Sequence, residues 1–141
     1  MFDSYDDMEK KFRRDISSLN DIFDFVHDFL ILNHIDDAVR FSIDFMVEEL
    51  FTNMVKYNPG NSNDILINIT KIGSRLTLSL TDFDVDPFDL TKTAEVDVTR
   101  SLAERKVGGL GIHLVKKMVD DIDYEYVDRM SKITVTKNLE K

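Results

Sequence analysis

The sequence predicts an α+β fold: a two-layer sandwich in which a mixed, mostly antiparallel sheet carries about three helices on one face. Apolar residues recur at helical spacing early in the chain and again from residue 110, whereas two pairs of segments alternate as β-hairpins do. With 141 residues, 43% of them apolar, the chain has the length of one domain and can bury a core. We therefore expect a single domain over residues 1–141, with 1–7 as a candidate disordered tail.

The first elements are a short strand and two helices. Loose alternation over residues 8–16 predicts the strand. Ser17 or Ser18 can cap the first helix, whose apolar side contains Leu19, Ile22, Phe23, Val26, Phe29 and Leu30. Asp36 or Asp37 caps a longer second helix, which the turn residues 58–61 end. Its core face is predicted to contain Val39, Ile43, Met46, Val47, Leu50 and Met54.

Two hairpins and a third helix complete the predicted fold. Residues 65–70 and 76–81 alternate as two strands joined by a turn at Gly73–Ser74. Residues 84–107 show little periodicity, and a connection of that length is usually functional, for example as a lid. Apolar residues between Leu110 and Val119 predict the third helix. Residues 122–128 and 132–137 predict the last two strands, with a turn near 129–131.

Composition excludes several classes of function. The formal net charge of −9 argues against a nucleic-acid surface, which needs a basic patch, and suits a partner with a basic face. There is no cysteine, so disulfides, thiolate metal sites and cysteine nucleophiles are excluded. The acidic N-terminus is unlike a signal peptide and no apolar run is long enough to span a membrane. We expect a cytoplasmic protein that binds neither nucleic acid nor membrane.

The second predicted helix places a carboxylate and a carboxamide on one side. Glu49 and Asn53 are one helical turn apart, so their side chains project together. On a helical wheel Asn53 lies at the rim of the apolar stripe, Glu49 about 40° further out, and Glu48 towards solvent. The same spacing is common on solvated helix faces. Its position at the edge of the stripe is what suggests a site between helix and sheet.

Asp82 ends a predicted strand and opens an acidic turn. A carboxylate at a strand end can accept a hydrogen bond from an exocyclic amine such as that of adenine. Asp82, Asp84 and Asp86 also match the first three ligand positions of an EF-hand calcium loop. That loop needs glycine at its sixth position and glutamate at its twelfth, where this chain has Pro87 and Thr93. Calcium is therefore disfavoured.

A glycine-rich turn leads into the third helix. Gly108, Gly109 and Gly111 would weaken a helix start unless the backbone needs unusual dihedral angles or a close approach. Backbone amides at such a turn can bind phosphate oxygens. Lys116, further along that helix, can neutralise phosphate charge, although such lysines are more often solvated. A hinge for the preceding segment is the alternative. Walker A and protein-kinase signature strings are absent.

The order of these motifs resembles the GHKL ATPase superfamily. Its N, G1 and G2 boxes correspond to residues 49–53, 82–88 and 108–111, with residues 84–107 as the ATP lid. Within it the chain is similar to the RsbW-type anti-sigma-factor serine/threonine kinases, over about residues 18–139. Pro87-Phe88 after the G1 acid and the glycine motif followed by Met118-Val119-Asp120-Asp121 carry this likeness. The resemblance implies the Bergerat, or histidine-kinase-like ATPase, fold.

The resemblance also implies roles for individual residues. Glu49 would be the general base acting on a serine hydroxyl, and Asn53 would bind the Mg²⁺ held on the ATP phosphates. Asp82 would recognise adenine. The remaining cofactor-binding residues that the likeness suggests are Asp84, Phe88, Gly108, Gly109, Leu110, Gly111, Lys116 and Thr134. The implied partners are a STAS-domain anti-anti-sigma protein, as the phospho-acceptor, and a sigma factor or equivalent target. Such proteins usually form homodimers.

One departure from the family pattern opens a second interpretation. The G1 box normally reads Asp-x-Gly, and Asp84 stands at the glycine position. Its side chain is expected to crowd the adenine pocket and to weaken ATP binding. A non-catalytic GHKL-fold switch protein, acting by partner binding, is then the alternative. A piece of a sensor histidine kinase is disfavoured, because the lid is short and no histidine-bearing dimerisation helix precedes the domain.

Overall fold

Five strands and three helices form the described part of the chain, residues 6–57, 60–87 and 109–139 of a computed structural model. The strands are β1 (Asp7–Phe12), β2 (Ile65–Ile72), β3 (Arg75–Phe83), β4 (Asp121–Val127) and β5 (Met130–Asn138). The helices are α1 (Leu19–Leu32), α2 (Arg40–Tyr57) and α3 (Gly109–Met118). One-turn 3-10 helices at Ile16–Ser18 and Asp37–Val39 precede α1 and α2. No helix within these ranges is both long and apolar enough to cross a bilayer.

The strands form one sheet in the order β1-β2-β3-β5-β4. All four neighbouring pairs are antiparallel. The prediction of an α+β fold is confirmed. The parallel pair implied by a mixed sheet is not found among the described strands. The chain leaves β3, passes through α3 and β4, and returns as β5 beside β3. This path puts the C-terminal end of β3 beside the start of β5, near the middle of the sheet.

The core lies between the helices and one face of the sheet. Alternate residues of β2, β3 and β5 are buried there, namely Ile65, Ile67, Ile69, Leu76, Leu78, Leu80, Ile133 and Val135. They pack in one cluster with the apolar sides of α1 and α2. Each such side chain contributes about 1.5–3 kcal/mol on burial. The predicted core face of α2 is confirmed, with Val39 only partly buried and Phe51 added to it.

Aspartates cap the 3-10 helices that precede α1 and α2. Asp15 caps the first of them, because its side chain accepts a hydrogen bond from the Ser17 amide. Ser18 occupies the N-cap position of α1, one of the two predicted, but its side chain makes no capping hydrogen bond. Ser18 instead donates its hydroxyl hydrogen bond to the Arg13 carbonyl at 2.9 Å. Asp36 caps the second segment through the Ala38 amide at 2.9 Å, as predicted.

The N-terminal strand is shorter than predicted and begins earlier. Asp7 is paired with Thr70 in β1, and the Asp6 carbonyl accepts from the Lys71 amide at 2.8 Å. The prediction of a disordered tail is therefore wrong for these two residues. The strand ends at Phe12 rather than at residue 16, because the chain turns where the Asp15 amide donates to the Arg13 carbonyl.

Two tight turns join the hairpins. Gly73 has a φ of 61° in the β2–β3 turn, as the Gly73–Ser74 prediction requires. The β4–β5 turn lies at Asp128 and Arg129, slightly before the predicted place, and both have positive φ values of 52° and 62°. Two consecutive positive φ angles give the turn the twist that antiparallel strands favour. This turn also holds the segment that follows β3.

Candidate functional site

Helix α2 presents Glu49 and Asn53 as the helical wheel predicts. Asn53 is 2% exposed, and its Nδ2 donates to the Glu49 carbonyl at 2.6 Å. Glu49 itself is partly buried, whereas Glu48 is exposed. The apolar stripe therefore ends at a buried amide, with a carboxylate one turn earlier at the boundary with solvent.

The Asn53 side chain has an unsatisfied oxygen. Its Oδ1 is buried and finds no hydrogen-bond partner among the described residues. A buried acceptor left in this way costs about 1–3 kcal/mol. An amide oxygen is also a typical ligand for a hard cation such as Mg²⁺. Since no cluster of three or more histidine, aspartate or glutamate residues is found in the described ranges, an ion at Asn53 would take its other ligands from water and from a bound anion. On this test Asn53 fits the Mg²⁺ role.

The environment of Glu49 disfavours its charged form. Desolvation by partial burial raises its pKa, the neighbouring charge of Glu48 adds to the increase, and Lys56 opposes it. A carboxylate whose pKa moves up towards neutrality is a better general base than a fully solvated one. The same environment that buries Asn53 therefore makes Glu49 more basic.

Asp82 lies at the inner face of the sheet, at the end of β3, and is 1% exposed. Its Oδ1 forms an ion pair with Nη2 of Arg14, whose side chain is only 4% exposed. Arg14 also donates from Nη1 to the Met54 carbonyl at 3.0 Å and from Nε to the Asn63 carbonyl at 3.2 Å. Burial lowers the pKa of Arg14, but an arginine remains protonated. One guanidinium thus connects β1, the end of α2, the segment before β2 and the end of β3.

The sequence analysis gave Arg14 no role and missed Ser131 as well. Ser131 is the cross-strand neighbour of Asp82 in β5, is buried, and hydrogen-bonds Tyr124 through the two hydroxyls at 3.1 Å. The predicted site residue Thr134 pairs with Ser79 and has the opposite parity to the buried Ile133. It therefore lies on the other face of the sheet, and the structure does not bring it to Asp82. Strict alternation along β5 would have selected Ser131.

Asp84 is engaged outside the sheet. Its side chain is 71% exposed and pairs with Arg129 Nε at 2.9 Å, a contact that holds the carboxylate on the β4–β5 turn. The backbone of Asp84 keeps a conformation typical of the glycine that the G1 box normally has here, with a φ of 56°. Asp86 pairs with Arg129 Nη1 at 3.1 Å. The Val85 amide also donates to the Arg129 carbonyl at 3.0 Å, so the loop is fixed to the β4–β5 turn.

The glycine motif is described in part. Gly109, Leu110 and Gly111 form the first turn of α3, as predicted. Phe88, Gly108 and the remainder of the predicted lid, residues 88–107, lie outside the described residues. Val115 is fully buried, and α3 packs against α2. Lys116 is exposed on α3. The helix that the glycines open therefore lies beside the helix that carries Glu49 and Asn53.

Asp84→Gly should be more stable than Asp84→Ala by roughly 1 kcal/mol, because only glycine adopts the positive φ without strain. Both variants lose the same exposed pair with Arg129, which is worth about 0–1 kcal/mol. Urea unfolding of the two variants measures the difference. Calorimetric titration with ATP should give the same dissociation constant for Asp84→Gly and wild type, within about twofold. Tightening by tenfold would show that the carboxylate does reach the pocket.

Glu49→Gln should raise the midpoint of thermal unfolding near neutral pH. The pKa of Glu49 is raised in the folded protein, so the folded state holds this proton more tightly than the unfolded chain, and the wild type loses stability as pH rises through that range. The gain should shrink as pH falls below the ordinary value of 4.5. Circular dichroism melts at several pH values measure it. Glu48→Gln, at an exposed position, is the control and should show little change.

Comparisons with known proteins place these features in a family. A family model for the histidine kinase-like ATPase domain matches residues 12–137, a range that contains Arg14, Glu49, Asn53, Asp82 and the glycine motif. No curated protein matches the chain in sequence.

A solved structure has a similar fold. A chain in the crystal structure of the SiaB-SiaC complex from Pseudomonas aeruginosa superposes with a TM-score of 0.66, over 92% of this chain and 88% of that chain, at 14% identity. An identity this low shows the fold alone, while the family match covers most of the sequence. The chain belongs to the histidine kinase-like ATPase domain family.

Proposed function

We propose that this protein is an ATP-dependent serine/threonine kinase and anti-sigma-type regulator. It would phosphorylate a STAS-domain anti-anti-sigma partner and sequester a sigma factor or an equivalent target. The observation that carries the proposal is on α2: Glu49, with its raised pKa, lies one turn from a buried Asn53 whose Oδ1 has no partner among the described residues. A general base and a metal ligand are the two groups that this family's phosphoryl transfer would take from that helix.

The chemistry assigns one task to each residue. The carboxylate of Glu49 accepts the proton of the serine or threonine hydroxyl as its oxygen bonds to the γ-phosphorus, and the bond to ADP breaks. The Oδ1 of Asn53 would hold Mg²⁺, which neutralises charge on the phosphates. Asp82 would accept the exocyclic amine of adenine. The glycines that open α3 would bind the phosphates with their backbone amides.

A protein partner is part of this proposal. The SiaB-SiaC structure is a complex of two proteins, and its fold similarity supports a function that works through a regulatory partner. The net charge of −9 favours a partner with a basic surface. We include a homodimer in the proposal because the resemblance to RsbW-type kinases implies one.

The alternative is a non-catalytic switch, which depends on Asp84 obstructing the nucleotide. The ion pair of the exposed Asp84 side chain with Arg129 favours the kinase over this alternative. Titration with ATP and Mg²⁺ separates the two functions. A protein that binds no ATP at millimolar concentration acts by partner binding alone.

Glu49→Gln should reduce phosphotransfer by at least about 100-fold, because the base is removed and the side-chain volume is kept. Its affinity for ATP should stay within about twofold of wild type. The assay uses radiolabelled ATP and the acceptor captured on the immobilised wild-type protein. Glu48→Gln, on the same helix but exposed, is the matched control and should transfer at the wild-type rate. A rate for Glu49→Gln within threefold of wild type would remove Glu49 from the mechanism.

Asn53→Ala should abolish the part of ATP binding that depends on magnesium, because the amide oxygen is lost. Wild type should bind ATP more tightly with Mg²⁺ than with EDTA, and the variant should show no such difference. Asn53→Asp, which keeps an oxygen but adds charge, should be intermediate. Asn20→Ala, at an exposed position on α1, is the control. If EDTA has equal effects on wild type and Asn53→Ala, the metal assignment fails.

A further inference from the structure

Helix α2 carries an aromatic side chain on the side turned away from the core. Phe41 is 80% exposed, more than any other large apolar residue in the part of the chain that the structure describes. The side of a surface helix opposite its apolar stripe is ordinarily polar. Because removal of a phenyl ring from water is favourable, this position suits contact with another molecule.

The helix places Phe41 on the same outer surface as Glu49. The two residues are eight positions apart in α2, so Phe41 lies about 12 Å from Glu49 along the helix axis and about 80° around it. Phe45 lies between them, about 40° from each. It is partly buried and packs on the core cluster. We call Phe41 and Phe45 the aromatic strip of α2.

The aromatic strip and the proposed metal ligand lie on opposite sides of Glu49. Asn53 is about 40° from Glu49 in the direction away from Phe45. In phosphoryl transfer the attacking and leaving oxygens lie roughly in line with the phosphorus. A protein that brings a hydroxyl to Glu49 must therefore approach from the side that the phosphates do not occupy. That side carries the aromatic strip.

Helix α1 packs beside the aromatic strip without covering it. Its His27 Nε2 lies 2.8 Å from Oδ2 of Asp44 on α2, and Asp44 is about 60° beyond Phe41 on the wheel. The contact between the two helices thus ends before Phe41, whose ring stays exposed. The strip is bounded by α1 on one side and by Glu49 on the other.

A protein whose hydroxyl reaches Glu49 would also cover Phe41. A specific interface of standard size buries about 800 Å² on each partner, which corresponds to a disc with a radius of about 16 Å. Phe41 lies inside such a disc centred on Glu49. Aromatic residues are enriched at the centres of protein interfaces, and a few buried side chains supply most of the binding energy.

We propose that Phe41 anchors the surface on which the phospho-acceptor docks, and that the acceptor is a folded protein with an apolar pocket about 12–15 Å from its serine or threonine hydroxyl. The inference rests on the proposed function, in which Glu49 takes the proton of that hydroxyl. Phe45, packed on the core, supports the same surface from beneath. The nucleotide lies on the other side of Glu49, so ATP affinity does not depend on Phe41.

Phe41→Ala should raise the KM for the acceptor by at least about tenfold, because an interface anchor is truncated. The kcat and the dissociation constant of ATP should stay within about twofold of wild type. The acceptor for this assay is the protein that gains radiolabel from ATP in the test of Glu49, after purification. Phe41→Leu, which keeps apolar volume, should give an intermediate KM. An unchanged KM in Phe41→Ala overturns the inference.

The chain offers a matched control for this substitution. Ile72, at the end of β2, is 72% exposed and lies on the sheet rather than on α2. Ile72→Ala should leave the KM for the acceptor unchanged. Because both positions are exposed, neither alanine variant should lower the midpoint of thermal unfolding appreciably, so that a change in KM reports on docking.

Cross-linking tests where the acceptor binds. Since the chain has no cysteine, Phe41→Cys provides a unique attachment point for a benzophenone probe, and Ile72→Cys provides the control. Irradiation with ATP, Mg²⁺ and the purified acceptor should link the acceptor to the probe at position 41 and not at position 72. Absence of that adduct overturns the inference. A second copy of this chain linked at position 41 in place of the acceptor would mean that a dimer covers Phe41, and would equally overturn it.

Failure of the proposed function is a separate result. If no protein gains radiolabel from ATP with the wild-type protein, the kinase proposal fails and the inference falls with it. If label is transferred while Phe41→Ala keeps the wild-type KM, the kinase proposal stands and only the anchor is removed.

Discussion

The buried ion pair between Arg14 and Asp82 connects four separate segments of the chain at the inner edge of the sheet. Removing both ions from water is costly, and only good geometry with further hydrogen bonds compensates for it. Loss of one partner from such a pair typically costs about 3–5 kcal/mol, because the other charge stays buried. The end of α2, the segment before β2 and the end of β3 therefore hold their relative positions through one guanidinium, and the candidate site is built on them.

The second arginine at this end of the sheet, Arg129, forms its ion pairs in solvent rather than in the protein interior. Arg129 pairs with Asp84 and Asp86 in solvent, where such pairs contribute about 0–1 kcal/mol. Its effect is local: together with the bond from the Val85 amide to the Arg129 carbonyl, it determines how the chain leaves β3. A positive φ at Asp84 is tolerated because these contacts, and the turn of β4–β5, hold the residue there.

Periodicity predicted the features that depend on neighbouring residues. The wheel positions of Glu49 and Asn53, the core face of α2 and the two hairpins follow from repeats of 3.6 and 2 residues, and the structure confirms them. Contacts between residues that are far apart in the sequence cannot be predicted from periodicity. Arg14 is next to Asp82 only because β1 and β3 join the same sheet, and the pairing of Asp82 with Ser131 depends on the register of β5 against β3. The direction of Asp84 depends on a backbone angle that no local pattern encodes.

Two polar groups of the proposed site lie in energetically unfavourable environments. The Oδ1 of Asn53 is buried without a partner among the described residues, and the environment of Glu49 disfavours its charge. A fold selected for stability alone would replace both, since local inconsistencies of this kind are usually retained for function. A bound cation would satisfy the amide oxygen, and proton uptake from a substrate hydroxyl would relieve the carboxylate. Ligand binding also stabilises the folded state in proportion to the logarithm of ligand concentration over its dissociation constant. Asn53 and Glu49 therefore lower the stability of the ligand-free protein. Binding of a nucleotide with its ion at Asn53, and of a protein acceptor at Glu49, would raise that stability.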